Sequence, residues 1–181
     1  VLAQGTASVI GHSFGGQAFG LLSRANETRG LYSFGSGSGW HGHMPRSEQV
    51  RVLSMWHLIG PVATRALGYL PMKRLGMGED LPLGVYHQWK RWCSYPSYFL
   101  EDPEVDFKER LARVTVPVVS VNTTDDLWAS PGAARALFSG YTASPPRFVA
   151  LKPSERGLGP VGHMGYFRAN AAPLWDDVVT F

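Results

Sequence analysis

Short apolar, β-branched runs closed by glycine or proline turns recur along the chain, and each reads as a strand. Ser8-Val9-Ile10 leads through a sharp turn into a predicted helix over Gln17–Leu22. Leu31-Tyr32-Ser33-Phe34 runs into the glycine-serine turn Gly35–Gly39. Val114–Asn122 is followed by a polar loop and a helix opened by Pro131 and running to Leu137. Arg147–Lys152 is a further strand, trailed by a glycine-rich loop and a last helix over Pro173–Val179. Between residues 40 and 110 this alternation stops. That stretch is rich in aromatics, Trp40, Trp56, Trp89 and Trp92 among them, and is punctuated by Pro61, Pro71, Pro82 and Pro96. Its segment Glu48–Leu70 has the length of a membrane span, but Arg51, His57, Pro61 and Arg65 inside it argue for two amphipathic helices broken near Gly60-Pro61. A further helix from Pro82 would carry Val85, Gln88, Trp89 and Trp92 as a stripe.

The turn after the first run holds the chain's most specific signal. Gly11-His12-Ser13-Phe14-Gly15 fits G-x-S-x-G in a strand–turn–helix context, the nucleophile elbow that exposes a serine at the tip of a tight turn. Both glycines are expected to be steric necessities, because a Cβ at either would collide where strand and helix fold together. The helix N-terminus behind the serine suits developing negative charge. Serine needs a base and an orienting acid, which in this architecture follow in the order acid, then histidine. Asp125-Asp126 lies just past the strand 114–122, and His163 sits in Gly162-His163-Met164-Gly165 near the end of the chain.

With these three motifs in this order, the chain resembles the α/β-hydrolase superfamily, within it a serine-hydrolase branch with a Gly-His-Ser-Phe-Gly-Gly elbow. The resemblance implies an α/β fold corresponding to its C-terminal part, strands 5 to 8 of a mostly parallel sheet. Residues 1–39 and 111–181 would form the core and 40–110 a helical lid over the site. It implies Ser13 as nucleophile, His163 as general base and then acid, and Asp126 as the acid holding the imidazole, with Asp125 as the alternative acid. The backbone N–H of Phe14 would be one oxyanion donor. Trp56, Trp89 and Trp92 on the lid are the candidate wall of an apolar substrate pocket, against the plainer reading that they only pack the lid on the core. The reaction implied is cleavage of a carboxylic ester or related acyl bond through an acyl-enzyme. An acyltransferase would use the same triad. The resemblance also implies four earlier strands and a second oxyanion donor that this stretch of sequence, opening at Val1, does not carry. On that ground a non-catalytic or partner-completed fragment, with the edge of the elbow strand exposed, is the contrasting expectation.

Composition narrows the field. Net charge is +3, and its basic residues are scattered as singles or pairs such as Lys73-Arg74 and Lys90-Arg91, so no nucleic-acid patch is expected. The partner expected is a small ester or acyl substrate, with no membrane span, no cofactor and no metal. His41-Gly42-His43 is too sparse a donor set for a metal site, and Gly35-x-Gly37-x-Gly39 misses the dinucleotide spacing. His12 is expected to support the elbow, and His57 and His87 to be lid residues. One cysteine, Cys93, excludes an intrachain disulfide and reads as a buried thiol, consistent with a cytoplasmic setting.

Overall fold

A computed structural model of the chain describes residues 7–75 and 78–181. The first six residues of the expected core segment, and Gly76 and Met77 of the expected lid, lie outside the described residues. The chain opens with β1 (Ser8–His12), α1 (Phe14–Gln17) and β2 (Gly30–Phe34). Next come α2 (Arg46–Ser54), α3 (Gly60–Leu67), the short strands β3 (Tyr69–Leu70) and β4 (Leu81–Pro82), and α4 (Leu83–Trp92). It finishes with α5 (Phe107–Ala112), β5 (Val118–Thr123), α6 (Pro131–Phe138), β6 (Arg147–Leu151) and α7 (Asp176–Val179).

Among the described residues the main sheet is four-stranded and wholly parallel, in the order β1-β2-β5-β6. Its inner strands β2 and β5 are buried along their whole length. Side chains alternate between the faces of a strand, so neighbours feed two different cores. Leu31 and Val118 pack with Leu111, Leu137 and Phe138 on one face, and Tyr32, Phe34, Val119 and Val121 with Tyr166 and Leu174 on the other. The first core runs without a break into residues 40–110, through Met44, Val52, Met55, Trp56 and Tyr86. β1 forms one edge of the sheet, with Ile10 51% exposed.

Local chemistry moved several predicted elements. The helix expected over Gln17–Leu22 is one turn of α-helix at Phe14–Gln17 and a 3₁₀ turn at Phe19–Leu21. Gly15, Gly16 and Gly20 make this a poor helix, and the Gly20 N–H donates instead to the Tyr141 hydroxyl. β5 starts at Val118 and not at Val114, because Pro117 has no N–H to give the ladder; its carbonyl still accepts from Leu31. The last helix is likewise split, a 3₁₀ segment at Ala169–Leu174 ahead of α7.

The break expected near Gly60-Pro61 does not occur. α2 and α3 are joined by a π-helical segment at Met55–Ile59, and the backbone stays helical through Gly60. A proline inside a helix removes one hydrogen bond and crowds the preceding turn, and the wider π turn relieves both. The Thr64 hydroxyl donates to the Gly60 carbonyl at 2.7 Å. Among the described residues no helix is long and apolar enough to cross a membrane.

The glycines around Ser13 also differ from expectation. A Cβ on Gly11 would stand 2.6 Å from the Cα of Gly16, whereas one on Gly15 would meet nothing within 4 Å. Gly16, outside the G-x-S-x-G pattern, is the second constrained position, its missing Cβ filled by the Ser33 and Ser36 hydroxyls. Gly11→Ala should therefore cost about 1–3 kcal/mol of stability through forced backbone shifts. Gly15→Ala should stay within about 0.5 kcal/mol, as surface changes usually do. Denaturant unfolding of both variants checks the contrast.

Candidate active site

Ser13 sits between the end of β1 and α1 with φ 51° and ψ −120°, a conformation rarely tolerated by a residue with a Cβ. Four hydrogen bonds fix it. The Ser13 N–H donates to the Phe34 carbonyl at 3.0 Å, and its own carbonyl accepts from Gly16 N–H, Gln17 N–H and the Ser36 hydroxyl. Ser36 in turn accepts from Ser33 at 2.6 Å, so the end of β2 clamps the turn that follows β1.

The Ser13 Oγ is 3.0 Å from His163 Nε2, and His163 Nδ1 is 3.0 Å from Asp126 Oδ2. A carboxylate can only accept, so Nδ1 carries the proton and Nε2 is left to accept from the serine hydroxyl. Asp126 is buried at the end of β5 and takes three further donors. Trp128 N–H and Ala129 N–H reach Oδ1 at 3.0 and 2.9 Å, and the Tyr166 hydroxyl reaches Oδ2 at 3.0 Å. Burial alone would raise the Asp126 carboxyl. The hydrogen bond and charge of His163, with the two backbone donors, outweigh it and hold the group below the usual carboxylate range. Tyr166 is itself fully buried, which pushes its phenol well above the ordinary value and keeps it a donor.

Asp125 has a different partner. Its Oδ2 accepts from Val161 N–H at 2.7 Å and Gly162 N–H at 3.1 Å, so it anchors the backbone of the loop that carries His163. His12 anchors the same loop from the other side, with Nε2 donating to the His163 carbonyl at 2.7 Å. Burial lowers the His12 ring below the ordinary imidazole value, toward the neutral form. Phe14 opens α1, so its N–H has no helical acceptor behind it.

A cavity of about 200 Å³ opens over Ser13 and His163. Its walls are largely apolar and come from both halves of the chain, with Met44, Val52, Met55, Trp56 and Trp89 from the insertion. Trp92, expected there, lies elsewhere. It is buried against Tyr98, Phe99 and Phe107, and its indole N–H donates to Asp102, because the α4 stripe turns this end into the core. Cys93 lines the cavity as a buried thiol, pushed up by burial. Gln17 lines it too, its amide nitrogen donating to the Gly37 carbonyl at 2.9 Å.

Three contributors carried little sequence signal. Tyr166 follows the histidine turn with nothing to mark it as a hydroxyl donor to the acid. Trp128 packs 5.0 Å from the His163 ring, and its indole N–H donates to Glu48 on α2 at 2.9 Å. Glu48, Trp128 and His163 thus connect the insertion to the site, a link visible only once the chain is folded. His41 and His43 lie in a 3₁₀ turn and do not line this cavity, and among the described residues no group of three or more potential metal ligands converges.

No family model matches the chain, and neither does any curated protein. Solved structures do. Over 96% of this chain it resembles the Paleococcus ferrophilus monoacylglycerol lipase, at 14% identity and a TM-score of 0.52. Over 97% it resembles BpoC of Mycobacterium tuberculosis H37Rv, a non-heme bromoperoxidase by name, at 16% identity and a TM-score of 0.50. The esterase domain of a Rhodothermus marinus protein is similar at 17% identity and a TM-score of 0.49. The chain spans 66%, 66% and 57% of the length of these structures respectively. At such identities the likeness is one of fold, and that fold is the α/β-hydrolase fold.

Because its folded-state value is depressed, Asp126 contributes stability that is present above the unfolded carboxylate value of about 3.9 and lost as pH falls through the lower folded value. Asp126→Asn removes this contribution. The stability difference between neutral pH and about pH 3 should therefore be smaller in the variant than in the parent, as measured by denaturant unfolding across that range.

Proposed function

We propose that the chain carries the catalytic half of a serine hydrolase acting on carboxylic esters or related acyl bonds. The observation that carries this reading is the continuous chain from Ser13 Oγ to His163 Nε2 and from Nδ1 to Asp126, each step 3.0 Å, beneath an apolar cavity. Ser13 Oγ attacks the substrate carbonyl carbon while its proton passes to His163 Nε2. Asp126 stays ionised and stabilises the imidazolium that forms. The Phe14 N–H faces the carbonyl oxygen as it becomes an oxyanion. His163 then gives its proton to the leaving alcohol, the C–O bond breaks, and an acyl-Ser13 ester remains. Water attacks that ester, delivers a proton to Nε2, and the acid departs as Ser13 recovers its hydrogen.

Residues 40–110 act as the lid over this site, set on a core of 1–39 and 111–181. Its cavity walls are Met44, Met55, Trp56 and Trp89, and the small volume favours a short acyl group. The lipase name of the Paleococcus ferrophilus neighbour agrees with this reading of the substrate class. In steady-state assays, p-nitrophenyl butyrate should be hydrolysed faster than the palmitate ester. Ser13→Ala should abolish turnover, and Asp126→Asn should lower kcat by about 10³–10⁴, because the histidine loses its required tautomer. Turnover that survives Ser13→Ala, or its absence from the parent chain, would refute the reading.

A further inference from the structure

A second and larger cavity, about 660 Å³, lies in the groove between the α2–α3 run and α4. It shares Trp56 and Cys93 with the cavity above Ser13 but contains none of Ser13, Asp126 or His163. Its polar lining has one sign. Arg65, Lys90 and Arg91 contribute three cations and His41, His57 and His87 three imidazoles, while no aspartate or glutamate lines it. Arg91 already pairs with Asp102 at 2.9 Å and Glu104 at 2.8 Å. Among the described residues Arg65 and Lys90 enter no ion pair, and the Lys90 ammonium lies 5.9 Å from the centre of the Tyr86 ring.

Two lining residues hold a buried N–H without an acceptor, Trp56 at Nε1 and Arg91 at Nε, and Trp56 is only 4% exposed. Buried donors without partners are rare, because each forfeits its hydration. A negatively charged group is the chemistry that the unpaired cations Arg65 and Lys90 lack. Concave walls also strengthen the field of like charges gathered in a groove. Leu83, Pro61 and the rings of Trp56 and Tyr86 supply apolar surface beside the cations.

We infer that this groove binds a small amphipathic anion, a carboxylate or phosphate monoester bearing a short apolar chain. The inference stands apart from the hydrolase reading, since its cations and imidazoles lie outside the cavity above Ser13 and none of Ser13, Asp126 or His163 takes part. The test is calorimetric titration of the Ser13→Ala chain with hexanoate, hexyl phosphate and uncharged 1-hexanol, at low salt and at 0.5 M salt. Both anions are expected to bind at least tenfold more tightly than hexanol and to weaken severalfold in high salt, where surface charges are screened. The tighter of the two identifies the headgroup. Arg65→Gln/Lys90→Gln, at one exposed and one half-buried position, should lose about tenfold in affinity while unfolding at the parent temperature. Arg51→Gln, in the cavity above Ser13, should bind like the parent. Three results would overturn the inference: equal binding of hexanol, affinity lost in Arg51→Gln but kept in the double variant, or binding to anionic phosphatidylglycerol vesicles with none to the monomeric anions.

Discussion

The positive φ of Ser13 is the constraint on which the rest of the site depends. A residue with a Cβ in that region costs on the order of 1–3 kcal/mol and persists only where its surroundings over-determine it. Here they do. The Ser13 N–H is tied to β2, its carbonyl takes three donors, and the missing Cβ atoms of Gly11 and Gly16 let strand and helix close on each other. The conformation lifts the Oγ off the end of β1 and into reach of His163. A relaxed turn would keep the serine and lose that reach.

The acid side is organised by a division of labour between two adjacent carboxylates. Asp126 points inward, where four donors hold it ionised against the cost of burial. Asp125 points to the loop backbone and fixes Val161 and Gly162, while His12 holds the carbonyl of His163 itself. The histidine therefore lies on a loop whose position is set from three directions. Trp128 extends this scaffold to Glu48, so the insertion that walls the cavity is hydrogen-bonded to the same loop that supplies the acid.

Strands were legible where a short apolar run met a glycine or proline boundary, and β2, β6 and α6 fall within a residue of expectation, whereas the start of β5 does not. Order along the chain, Ser13 then Asp125-Asp126 then His163, carried the candidate site, because motif spacing is a local property. What stayed hidden depends on tertiary contact. The helix through Pro61 persists because a π turn absorbs the proline, which no propensity scale registers. Gly16 matters more than Gly15 because Ser33 of β2 and Ser36 in the turn beyond it fill the space beside it. Trp92 and Trp89 share one helical stripe, yet only packing decides which meets the cavity and which the core.

In the proposed function Ser13 is a nucleophile activated by His163. The most direct measurement is the rate of covalent modification by a fluorophosphonate, read as the mass of the peptide carrying Ser13. A single adduct on Ser13 should form in the parent chain, slow sharply in His163→Ala and be absent in Ser13→Ala. Modification at an equal rate with and without His163, or none on Ser13 in the folded parent chain, would contradict this reading.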